Sequence, residues 1–117
     1  MNADRELLAL AAKAAGARMS DYSDRTPDHW TIQHADRVWR EWRPLTDDGD
    51  ALRLAILVGI DIESNKIPER ACALVFVPGG NSVFFTTPFF EPWGDDKMAA
   101  TRRAIVRAAA EIGRAMP

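Results

Sequence analysis

The sequence predicts an α+β domain: N- and C-terminal helices packed on a small antiparallel sheet, a three-stranded meander, with one short extra helix. Three observations carry this. Residues 2–16 and the stretch from Asp95 or Asp96 to 116 hold apolar residues at helical spacing. Between them "RACALVFV" and "SVFFTT" are apolar runs rich in β-formers, joined by "PGGN", whose glycines supply turn geometry. A chain of 117 residues is the length of one domain with a single core, so residues 1–117 are read as one unit.

The first helix is expected over "NADRELLALAAKAAG". Asn2 suits its cap, Asp4 and Glu6 suit the positive end of its dipole, and Gly16 suits its end. Leu7, Leu10, Ala11 and Ala14 share one face, with Leu8 and Ala15 at its edge. Alanine is a small knob, so this helix should approach its neighbour closely. Residues 17–29 carry turn formers and no sustained period, and read as a loop.

"WTIQHADRVWREWRPL" holds three of the four tryptophans. Trp30 and Ile32 alternate, and later Trp39, Glu41 and Arg43 oppose Val38, Arg40 and Trp42. That pattern reads as one or two short strands with a turn near "HAD"; a helix from Asp36 to Trp42 is the competing reading. In "TDDGDALRLAILVGIDIE", Leu52, Leu54, Ile56 and Val58 alternate as in a strand. Leu52, Ala55, Ile56 and Gly59 also fit a helical stripe, and Asp47, Asp48 and Asp50 sit where a helix start favours oxygen acceptors. Alanine and leucine tip the choice to a helix from about Asp48 to Val58, followed by a strand from Ile60. "IDIES" then joins the two apolar runs as the meander's first strand. "PFFEPWG" reads as a crossing over the sheet edge, with Phe89, Phe90 and Trp93 capping the core.

In the last helix, at about 100° per residue, Met98, Ile105, Ala109, Ile112 and Met116 fall within a narrow arc that should pack. Opposite lie Arg103, Arg107 and Arg114, with Glu111 beside them. Arg102 flanks the apolar face. An α-β-β-β-α order is shared with double-stranded RNA-binding domains, but their basic helix-start signature is missing here.

Composition narrows the function classes. Fifteen Lys plus Arg against seventeen Asp plus Glu give a net charge of −2, too nearly neutral to draw a polyanion over long distances. The longest apolar runs, "LAILVGI" and "ACALVFV", are seven residues each, too short to span a bilayer, and the N-terminus lacks a secretory pattern. A soluble, cytoplasmic protein is expected. Cys72, the single cysteine, is expected as a buried, unreactive thiol on a strand. His29 and His34 have no ligand spacing with it or with each other, so no metal or cofactor is expected. "DDGD" lacks the rest of a calcium loop and is better explained as helix capping. No phosphate-cradling motif and no nucleophile elbow occurs, so no catalytic residue is assigned.

Two constellations remain. In "RVWREWR", Trp39, Arg40, Trp42 and Arg43 combine aromatic and cationic side chains of the kind that grip a protein partner. The alternative is nucleic-acid binding through Arg103, Arg107 and Arg114; three phosphate contacts give a salt slope of only about −3, hence weak binding.

The stretches "WRPLTDDGDALRLA" and "ATRRAIVRAAAEIGRAM" together resemble a family of small uncharacterised proteins encoded by tailed bacteriophages and by prophages in bacterial chromosomes. The resemblance covers the N-terminal helix, residues 42–55 and residues 100–116, and not residues 60–94. It implies a host-cytoplasm accessory protein of phage origin, acting by protein or nucleic-acid binding, and it carries no catalytic residues.

Overall fold

The computed structural model describes residues 2–19, 29–63, 70–78 and 84–117, and the side chains of 3–19, 29–62 and 90–117. In chain order the elements are α1 (Asn2–Ala15), β1 (Arg18–Met19), β2 (Trp30–Gln33), β3 (Trp39–Glu41), α2 (Asp48–Val58), β4 (Ile60–Glu63), β5 (Arg70–Pro78), β6 (Phe84–Pro92) and α3 (Lys97–Ala115). The α+β class and the terminal helices stand as the sequence predicts. The strands form two antiparallel meanders, however: an N-terminal sheet β1-β2-β3 and a C-terminal sheet β4-β5-β6.

Helix α1 carries Asp4 in its first turn and Lys13 in its last, each matched to the local end of the helix dipole. Asn2 is the first helical residue and not the cap. Gly16, at φ +80°, closes the helix, and the amides of Gly16 and Ala17 donate to the Ala12 carbonyl at 2.8 and 3.0 Å. The buried positions are Ala11 and Ala12, with Leu7 and Leu8 packed beside them. Within the stretch read as loop, Arg18 and Met19 instead pair with Thr31 and Trp30 as a third short strand. The remainder of that loop, 20–28, lies outside the described residues, as does the PGGN connection beyond Pro78.

The tryptophan segment is a hairpin, and the competing helix over 36–42 does not form. The His34 carbonyl accepts from Arg37 N at 2.9 Å and His34 N donates to Val38 O at 3.0 Å. Arg37 takes φ +68° where this turn requires a left-handed residue. The Asp36 carboxylate accepts from Val38 N at 3.0 Å, which compensates for the absence of glycine at the bend.

Helix α2 and strand β4 begin where the sequence places them. Asp47 caps α2, accepting from Asp50 N at 2.8 Å, and Gly59 ends it at φ +79°. The Asp50 carboxylate is buried and accepts from Arg43 N at 2.8 Å and from Arg53 Nη2 at 3.0 Å. Asp48 pairs with Arg102 at 2.6 Å, and Arg102 Nε donates to the Leu45 carbonyl at 2.9 Å. The aspartates of "TDDGD" are thus a cap and two anchors, and Arg102 ties the start of α2 to α3.

The buried face of α2 is Asp50, Ala51, Leu54 and Ala55. This corrects the expected stripe of Leu52, Ala55, Ile56 and Gly59, of which only Ala55 faces inward. Ala51, Leu54 and Ala55 join the core, the Arg43 amide outside the helix anchors Asp50 on the same side, and Leu52 and Ile56 turn to solvent.

In the C-terminal sheet, β6 runs on through residues 88–92, paired with β5 from Leu74↔Pro88 to Arg70↔Pro92. The expected crossing at "PFFEPWG" is therefore strand. Its prolines fall on an edge strand, the place in a sheet where proline is tolerated. Trp93 packs against the core, Phe90 is exposed, and the Phe89 side chain lies outside the described set.

Helix α3 is capped by Asp96, which accepts from Ala99 N at 2.9 Å. It packs against α1, α2 and all three strands of the C-terminal sheet. Its buried residues, Ala100, Ala104, Ile105, Val106, Ala108, Ala109, Ala110 and Gly113, surround most of the helix. The narrow packing arc predicted for it is thus too narrow, and its ends, Met98 and Met116, are exposed. Small residues permit this enclosure. A Cβ at Gly113 would collide with the Leu10 carbonyl oxygen of α1 and sit 2.8 Å from its carbonyl carbon. The close approach expected of an alanine-rich α1 is present.

Candidate protein-binding groove

Strand geometry decides how the residues of "RVWREWR" are displayed. Successive side chains point to opposite faces. Ile32 pairs with Arg40 and Trp42 N donates to Trp30 O, so Trp30, Ile32, Arg40 and Trp42 share one face of the hairpin. Trp39 shares the other with Gln33, and the Arg18 guanidinium lies 4.8 Å from its ring centre. The four residues singled out in the sequence therefore do not form one platform. Trp42, at 3% exposure, is core, while Trp39, at 38%, is surface. Arg40 is held in a two-pronged pair with Asp36 at 2.6 and 3.0 Å, and Arg43 pairs with Glu41 at 2.6 Å. The Arg40 guanidinium, with help from the Val38 amide, holds Asp36 at about 2, below the usual carboxylate value, and the same pair pushes Arg40 upward.

The inner face of the hairpin meets α2 across an open cleft of about 370 Å³. Buried Trp42 and Leu54 form its floor with half-buried Ile32, and Ile56 and Leu57, 72% and 59% exposed, stand at its rim. A second, polar cleft of about 330 Å³ continues from it past His34 and Arg53 to Arg40, Arg43 and Asp50. Both meet at His34, whose Nε2 has no hydrogen-bond partner among the described residues. Arg40, Trp42 and Arg43 thus line one continuous groove, although Trp39 faces away from it. The sequence reading missed Leu54 and Leu57 as lining. The signal available for them was that "ALRLAILV" is apolar around more of the helix than one packing stripe can cover.

The arginines of α3 are differently placed. Arg103 is half-buried and donates to Asp4 at 2.8 Å, with Glu91 3.7 Å away. Arg107 pairs with Glu91 and donates to the Phe90 carbonyl at 2.7 Å. Arg114 pairs with Glu111 at 3.3 Å. Each guanidinium has an acidic neighbour, which weakens the local positive potential that phosphate contact needs. Ala110, between them on the helix, is covered.

Among the described residues no cluster of three or more His, Cys, Asp or Glu is arranged to hold a metal ion, and no helix is long and apolar enough to cross a membrane. No family model, curated protein or solved structure matches the chain.

Proposed function

We infer that the chain is a small accessory protein, of the phage or prophage type its sequence resembles, that acts by binding another protein and carries out no catalytic step. The observation that supports this is the groove: exposed Ile56 and Leu57 beside half-buried Ile32, over a floor of buried Trp42 and Leu54, continuous with a polar cleft. An apolar centre with a polar rim is the anatomy of protein–protein interfaces. The nucleic-acid reading has less support, since Arg103, Arg107 and Arg114 are each offset by a carboxylate.

The test is a peptide selection on the immobilised protein, paired with a titration of labelled duplex and single-stranded oligonucleotides at low salt. Selected apolar peptides are expected to lose about tenfold or more in affinity on Leu57→Asp, with oligonucleotides showing no binding. Oligonucleotide binding that weakens with salt and on replacing all three arginines by glutamine reverses the assignment.

A further inference from the structure

We draw no further inference here: the strongest candidate, the exposed apolar surface patch formed by Leu52 of α2, Ile62 of β4 and Met98 at the start of α3, carries none because nothing in the structure shows what covers it.

Discussion

Replacing Gly113 by alanine sets two contributions of opposite sign against each other. Intrinsic helix propensity favours alanine over glycine in a helix interior by about 1 kcal/mol. The added methyl, however, would lie 2.8 Å from the Leu10 carbonyl carbon and closer still to its oxygen, whereas carbon contacts settle at about 3.5–4.0 Å. The obstacle is backbone, so no rotamer change relieves it, and α1 must shift off α3. That shift loosens the contacts of Ala11, Ala12, Ala108 and Ala109, all fully or almost fully buried. Overpacking of this kind costs about 3 kcal/mol, leaving a net destabilisation of about 2 kcal/mol once the propensity gain is subtracted. For a domain of this size that lowers the melting temperature by about 10 °C. Urea denaturation followed by the helical circular dichroism signal measures the free energy directly, with an unchanged denaturant slope confirming that the fold is intact. A Gly113→Ala protein as stable as the parent, or more so, would falsify the close α1–α3 approach.

Three further expectations follow from the turn and cap geometry. Asp50→Ala leaves the part-buried Arg43 amide without its acceptor and releases Arg53, costing about 2 kcal/mol in urea denaturation; Asp50→Asn, which keeps one carbonyl oxygen, costs less. Arg37→Gly relieves the left-handed φ of +68° and stabilises the protein by about 0.5–1 kcal/mol, whereas Arg37→Val destabilises it. Asp36 titrates near 2 in the folded state, below the 3.8 of an unperturbed carboxyl, so the native protein binds fewer protons than the unfolded chain in that window. Its contribution to stability is therefore complete above about pH 5 and is lost as the pH falls toward 2. A carbon-detected NMR titration reads the midpoint directly, and Arg40→Gln moves it upward.

What the sequence conveyed and what it concealed follow from which forces are local. Helix α2 was legible to the residue because its start and stop are local chemistry: Asp47 accepts from an amide three residues on, and Gly59 supplies a left-handed end. Its rotation was not legible. Leu52 and Ile56 form as good an apolar stripe as Ala51, Leu54 and Ala55, and the choice was made by contacts outside the helix: the core that takes Ala51, Leu54 and Ala55, and the Arg43 amide that reaches Asp50. Helix α3 was misread in the same way. Periodicity picked out its largest apolar residues, but alanines packed on three sides bury more of it than Met98 and Met116 do. The hairpin's alternation was readable, whereas the pairing of Arg18 and Met19 with β2 was not, since two residues are too few to show a period. The groove was half visible. Trp42, Arg40 and Arg43 came from the sequence, but the opposing wall of Leu54 and Leu57 comes from an element whose orientation the sequence left open.

The enclosure of α3 has a consequence for how the chain acquires its structure. This helix is the last element in chain order, yet α1, α2 and the C-terminal sheet share it as their common neighbour. Until residues 97–115 have emerged from the ribosome, the earlier elements have only one another to lean on, and α1 and α2 touch little. A chain shortened to exclude residues 97–115 is therefore expected to lose the shared surface on which α1, α2 and the sheet are buried, and to be cut readily by proteases.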